Sequence, residues 1–465
     1  MSNIAIKEVR VEALHEQYDV AIQLQPDLNI IYGKNGRGKT TLLHILANVL
    51  ELDFERFKHI QFRSIEISTY QGGSVKIFTE NPRIAQPMLV EVDGQRLSPI
   101  GSGPGLSEAE TSLIRSTLGS RAVYLPAFRA ILERSPGDAY IDRDRQDEME
   151  AIRVSEVQIA RDGRARGPSY EVRMRSEQHR LTATKTVQCR QWFGQFVPVI
   201  RYPSLNDVRS RLLEELRTAT FEVSVFEQRL FSQLFIQVFK AISGESGTPD
   251  IGDTESLLEQ VQGALAAIDD ASGGASNVYG EIRDAVDQAR QSHVTEERTT
   301  SRILSLYAGL LEERASQHKQ SFNKIRDFEK SVNLFLDGKT FVLDERALDR
   351  PGRGASVIST NGRNMNLSAL SSGERQVVTM IFCASRLAEN RGIFLVDEPE
   401  LSLHVDWQRS ILGEVMRQAE GRQVIACTHS PEVGADHYNS VQDFSPQPSM
   451  APHDLFNVFD SQEDV

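Results

Sequence analysis

Apolar and polar residues alternate along the first fifty positions as they do in strands with one buried face: Ile4 to Val11, Tyr18 to Leu24, then Leu28 to Tyr32. The third run leads into a glycine-rich loop, and beyond it Thr41-Leu42-Leu43-His44-Ile45-Leu46 opens a helix with its apolar residues on one face. Short strands return between Phe57 and about Val92, with Gln71-Gly72-Gly73 as a hairpin turn. The run Arg121-Ala122-Val123-Tyr124-Leu125-Pro126-Ala127-Phe128-Arg129 predicts one more buried strand with a proline-marked exit.

The period then changes. Residues 132–201 are polar and arginine-rich, and from 202 to 338 apolar residues recur every three or four positions. Leu212, Leu213, Leu216, Val223, Phe226, Leu230 and Leu234 form one such series; Leu257, Val261, Leu265 and Ile268 form a second; Phe322, Ile325, Phe328, Val332 and Phe335 form a third. Breaks at Ser243–Pro249 and Ala271–Gly274 predict a compact set of hairpins and not a long coiled-coil arm, which needs sustained heptads. Strand patterning resumes at Lys339-Thr340-Phe341-Val342-Leu343, followed by a helix through Leu387, a strand ending at Asp397, and the strand Val424-Ile425-Ala426-Cys427-Thr428. The expected organisation is therefore a first lobe over 1–131, an inserted region over 132–338, a second lobe over 339–440 and a C-terminal tail over 441–465, whose acidic end Phe459–Val465 is expected to fray.

Composition narrows the setting. The chain of 465 residues is 40% apolar and 25% charged, as soluble globular proteins are. It has no apolar run near the roughly 20 residues of a membrane span and no signal-peptide pattern at Met1-Ser2-Asn3-Ile4, so a cytoplasmic protein with no membrane role is expected. The widely spaced Cys189, Cys383 and Cys427 match no zinc pattern. A net charge of −13 disfavours DNA as a partner, since phosphate neutralisation supplies most non-specific affinity. The one locally basic segment is Arg153–Arg190. There Arg153, Arg161, Arg164, Arg166, Arg173, Arg175, Arg180, Lys185 and Arg190 face only Glu156, Asp162, Glu171 and Glu177. It reads either as a solvated surface segment or as a docking face for an acidic partner.

The glycine loop Gly33-Lys34-Asn35-Gly36-Arg37-Gly38-Lys39-Thr40 carries the clearest chemistry. Residues without bulky side chains let successive backbone N–H groups converge on a phosphate, and the helix behind adds its positive end. Lys39 is expected to bridge the β- and γ-phosphates of a nucleotide, and Thr40 to ligate Mg²⁺; Thr41 follows in the same first turn. Asp397 closes an apolar strand, a place for a second Mg²⁺ ligand, and Glu398 beside it is the expected general base for the attacking water. His429, one strand later, is expected to sense the γ-phosphate. Ser402-Leu403-His404 reads either as part of a subunit interface or as a helix capped by Ser402.

Taken together, the Gly33–Thr40 loop (Walker A), Leu370-Ser371-Ser372-Gly373-Glu374, Val396-Asp397-Glu398-Pro399-Glu400-Leu401-Ser402-Leu403-His404 and Thr428-His429-Ser430-Pro431 resemble the ABC-type ATPases of the overcoming-lysogenisation-defect and SMC-related class. The resemblance covers about 1–130 and 340–440. It implies an α/β fold, an ABC-type P-loop ATPase head split by an arginine-rich segment and a helical insertion. It also implies ATP and Mg²⁺ as cofactors, and a head-to-head dimer or higher homo-oligomer in which Ser371 and Gly373 touch the γ-phosphate bound by the other copy. No glutamine stands out as the coupling residue of that class. The layout is similar to the ATPase subunits of the PARIS and, next, the Septu anti-phage systems. It implies a separately encoded effector nuclease, of TOPRIM type in the first or HNH type in the second, and an acidic phage trigger as a purpose for Arg153–Arg190. A DNA-repair or DNA-clamping ATPase is the alternative.

Overall fold

A continuous apolar run without alternation suits a strand buried on both faces. Three such runs, Leu28–Tyr32, Ile393–Asp397 and Val424–Thr428, form the middle of one sheet. The structure, a computed structural model, describes residues 4–79, 87–101, 105–119, 121–132, 182–242, 256–257, 259–263, 284, 298–348, 354–387 and 392–449. These group into two units, Met1–Leu205 with Ser371–Val465, and Asn206–Leu370.

Strands are numbered β1 (Ile6–Leu14), β2 (Tyr18–Gln23), β3 (Leu28–Tyr32), β4 (Ser64–Thr69), β5 (Ser74–Thr79), β6 (Met88–Val92), β7 (Gln95–Arg96) and β8 (Ala122–Leu125). They continue with β9 (Lys339–Leu343), β10 (Ala355–Ser359), β11 (Asn364–Met365), β12 (Ile393–Asp397), β13 (Val424–Thr428), β14 (Val441–Asp443) and β15 (Gln447–Pro448). The helices numbered here are α1 (Lys39–Glu51), α2 (Glu108–Leu118), α3 (Leu205–Ile242), α4 (Arg298–Asn333), α5 (Ser372–Ser385) and α6 (Val405–Gln418).

In the first unit a parallel sheet of order β14-β3-β13-β12-β8 carries α1, which follows β3 through the glycine loop 33–38. Ten residues of α1, from Lys39 to Leu50, are buried, among them Leu42, Leu43, Ile45 and Leu46. The second sheet, β15-β2-β1-β4-β5-β6-β7, is antiparallel, and its strands β5 and β6 bury alternate residues as a one-faced sheet must. The turn at Gln71-Gly72-Gly73 joins β4 to β5, with Gly72 at φ 89°. Residues 441–448, set apart as a tail by the sequence pattern, instead supply the edge strand of each sheet: β14 pairs with β3 and β15 with β2.

The second unit departs from the expected compact hairpins. Its helices α3 and α4 run for 38 and 36 residues, about 55 Å each at 1.5 Å per residue. Glu227 of α3 pairs with Arg314 of α4, and Leu230, Ala308, Leu310 and Leu311 share a buried cluster with Val261. The numbering rises along one helix as it falls along the other, so the pair is antiparallel. The sheet β11-β10-β9, which the sequence pattern joined to the second lobe, groups with these helices. Asn333 at the end of α4 donates to Phe341 O at 2.9 Å and accepts from Phe341 N at 2.7 Å, and the Phe328 ring meets Phe341 edge-on. Among the described residues no helix is long and apolar enough to cross a membrane.

Candidate functional site

Between β3 and α1 the backbone must reverse tightly, and Gly36 and Gly38 take φ of 77° and 97°, conformations that cost an L side chain strain. Gly33 is small for another reason: a Cβ there would stand 3.3 Å from Phe444, the residue after β14. Lys39 is buried, its Nζ donating to the carbonyls of Gly33 at 2.5 Å and Lys34 at 3.1 Å. Asn35, Gly36, Arg37, Gly38, Lys39, Thr40, Thr41 and Glu398 line a cavity of about 320 Å³, closed on another side by Leu14, His15 and Tyr18. Those three, from the β1–β2 turn, were not singled out in the sequence. They give an aromatic and apolar wall next to a phosphate cradle, as a nucleoside needs.

Across this cavity the two distant motifs meet. Thr40 Oγ1 donates to Asp397 Oδ2 at 2.8 Å. Asp397 is buried, and burial pushes its carboxyl up to about 6, helped by neighbouring Glu398 and opposed by the Thr40 hydrogen bond, Arg129 and Lys39. Its Oδ1 is buried without a hydrogen-bond partner. An orphaned carboxylate oxygen beside a threonine hydroxyl is the oxygen donor set that Mg²⁺ takes, with phosphate and water completing the shell. The residues present therefore fit the ion.

Glu398 follows at φ 48°, a strained conformation for a non-glycine residue of the kind found at functional sites. Arg129, 1% exposed, holds the turn: its guanidinium donates to Asp397 O and Glu398 O at 2.8 Å, and to Pro399 O at 3.3 Å. His429 Nδ1 lies 3.3 Å from Glu398 Oε1 and 3.2 Å from Glu400 Oε1, outside the cavity lining. Glu400 is 5% exposed, and its Oε1 also accepts from Thr428 Oγ1 and, at 3.1 Å, from the backbone N–H groups of His429 and Ser430. Glu400 thus ties the residue after β13 to the turn after β12. Neither Arg129 nor Glu400 was assigned a role from sequence. The spacing of Glu400, two residues beyond Glu398, was the available signal.

Ser371 and Gly373 lie away from this cavity. Ser371 caps α5 through a reciprocal box with Glu374, and a Cβ on Gly373 would meet Ser402 O at 2.5 Å. Ser402 is not a cap. It adopts φ 62°, and α6 is capped by His404, whose side chain accepts from Asp406 N. The basic segment is corrected in part: Lys185 and Arg190 sit on a helix over 182–193 and are buried, Lys185 donating to Tyr202 O and Arg190 to Val197 O and Asp53, each at 2.9 Å. They offer no docking surface. Arg153, Arg161, Arg164, Arg166, Arg173, Arg175 and Arg180 lie outside the described residues, as do Phe459–Val465.

Residues 323–436 match the family model described as "AAA domain, putative AbiEii toxin, Type IV TA system", less than half of the chain. A retron Ec83 probable ATPase of Escherichia coli is 31% identical over 88 residues, 17% of this chain and 16% of that protein. A retron Vc95 probable ATPase of Vibrio cholerae serotype O1 biovar El Tor is 28% identical over 182 residues, 33% of this chain and 34% of that one. The matches thus span about a sixth and a third of these relatives' lengths. Among solved structures, the Smc head domain with an extended coiled coil bound to the C-terminal domain of ScpA from Pyrococcus furiosus aligns over 96% of both chains at TM-score 0.41 and 11% identity. The Smc head domain with a coiled coil and joint from Pyrococcus yayanosii aligns over 96% of both at TM-score 0.40 and 11% identity. Both retron relatives are described as probable ATPases, in keeping with a phosphate loop whose threonine meets a strand-end aspartate.

Proposed function

We propose that this chain is the ATP-binding and ATP-hydrolysing sensor-scaffold subunit of a two-component anti-phage system, controlling an effector nuclease encoded separately. The observation that carries the ATPase reading is the Thr40–Asp397 hydrogen bond with the buried, unpartnered Asp397 Oδ1 beside it. Lys39 and the loop N–H groups hold the phosphates, while Thr40 and Asp397 hold Mg²⁺, which when bound offsets the charge on the β- and γ-phosphates. Glu398, inside the cavity, orients and deprotonates the attacking water, and His429 and Arg129 keep it aimed. Similarity to retron ATPases supports a defence setting. A TOPRIM nuclease is the effector this reading favours; an HNH nuclease of Septu type is the alternative.

Ser371 and Gly373, at the start of α5, are proposed to close on the nucleotide of a second copy, where the helix N-terminus favours negative charge. The test mixes a Lys39→Ala chain with a Ser371→Arg chain, each inactive alone. In a two-fold dimer half the pairs are mixed and each holds one intact site, so roughly a quarter of the turnover returns. If mixing restores nothing, the shared site is wrong. A DNA-clamping ATPase remains the second reading, favoured by the paired long helices; ATP-dependent DNA binding that steepens at low salt would select it over the first.

A further inference from the structure

Helix α3 is apolar on two opposite faces. Leu216, Val223 and Leu230 are buried on one side, with Phe226 and Leu234 packed near the cluster of α4. Half a turn away Phe221, Val225, Phe235, Ile236 and Phe239 stand exposed at 70, 40, 74, 54 and 65%. With the exposed Gln228 and Ser232, the positions 221, 225, 228, 232, 235 and 239 step by four and three in turn, the a/d register of a coiled-coil seam. This seam points away from the face that packs within the chain.

The series is also symmetric. Read in either direction from residue 230, an apolar residue stands five and nine positions away and a polar one two positions away. A second α3 laid antiparallel therefore sets Phe221 against Phe239, Val225 against Phe235, and Gln228 against Ser232. We infer that this face is a self-association surface, on which α3 of one copy packs antiparallel against α3 of another about a two-fold axis level with residue 230.

Area supports a second copy as the occupant. Three phenylalanines of about 200 Å² each, mostly exposed, with the isoleucine and valine, present roughly 500 Å² of apolar surface. Two such faces remove about 1,000 Å² of apolar surface from water, the least that a biological interface buries, before any polar contribution is added. The central Gln228–Ser232 layer fixes register, because a slip of one heptad in either direction sets these polar groups against phenylalanine or valine. A lipid surface fits poorly: among the flanking exposed residues, Arg217 and Arg229 are the basic ones, set among Glu222, Ser224, Gln233 and Gln237, too few for the Lys/Arg-rich polar face of a membrane-surface helix. The surface needs no nucleotide and does not depend on the proposed ATP-bound dimer.

Sedimentation of the full chain without nucleotide, as wild type and as Phe235→Arg/Phe239→Arg, tests the surface. The double variant is expected to raise the dissociation constant at least about a hundredfold while its melting temperature holds. Lys39→Ala should associate as wild type does, which separates this interface from the nucleotide-bound one. Orientation is read by cross-linking, since the described cysteines are all buried. A Phe221→Cys chain mixed with a Phe239→Cys chain is expected to form a disulfide-linked pair, and neither chain alone should. This second experiment stands even if the arginine variant fails to fold. Unchanged association in the arginine variant overturns the inference. A lowered melting temperature at unchanged mass also overturns it, because the face is then covered by the chain itself. Self-linking of Phe221→Cys, the mark of parallel helices, overturns the proposed geometry.

Discussion

Arg129 donates to three successive carbonyls, and so constrains a turn whose Glu398 holds a left-handed backbone. One ammonium cannot span those acceptors as a planar guanidinium does. Arg129→Lys and Arg129→Met are both expected to lower ATP turnover about tenfold or more through a misplaced Glu398, with fluorescent-nucleotide affinity nearly unchanged. Equal losses in turnover and affinity would show that the turn also supports the phosphate loop. Glu400→Gln keeps an accepting oxygen for the His429 and Ser430 amides, so it should fold normally while slowing turnover. His44, buried on α1 with its Nε2 2.9 Å from the Tyr124 hydroxyl, is pushed down to about 3 by burial. The unfolded chain, titrating near 6.5, binds the proton first as pH falls. Stability from this residue is therefore complete above about pH 6.5 and declines by about 1.4 kcal/mol per unit below it. Urea unfolding at pH 7.5 and 5.5 should show this loss in wild type and much less of it in His44→Gln.

At the scale of elements, the start of α5 is fixed from two sides: the Ser371–Glu374 box closes its first turn, and Gly373 rests on the backbone of Ser402. Gly373→Ala should push the helix end away, costing about 1–3 kcal/mol, and abolish turnover; a melt unchanged from wild type would contradict the close packing. The same elements show what a sequence can disclose. The phosphate loop and the strand ending at Asp397 were legible because each is a local pattern with a local cause. The β4–β5 hairpin was legible for the same reason. The turn carbonyls that Arg129 holds, those of Asp397, Glu398 and Pro399, lie 268 to 270 residues away, a distance no local pattern spans. Strands β14 and β15, three and two residues long, are too short to show a period. Of the two readings of Ser402-Leu403-His404, the cap at Ser402 fails because Ser402 has the right side chain while the backbone enters the helix two residues later at His404.

For the whole molecule, sheet order matters more than chain order. The strand that carries the phosphate loop, β3, lies between β13 and β14, both drawn from the far end of the sequence. Phe444, just past β14, backs Gly33, and β15 reaches Tyr18's strand beside the cavity. A chain cut after Ser440 should retain the entire glycine motif yet bind nucleotide weakly, which equilibrium dialysis would measure. During translation, then, a ribosome that has produced every residue of the Gly33–Thr40 loop still holds a polypeptide in which β3 lacks both of its sheet neighbours. Full competence to bind nucleotide is therefore expected only once residues 424–444 have emerged and closed the sheet around β3.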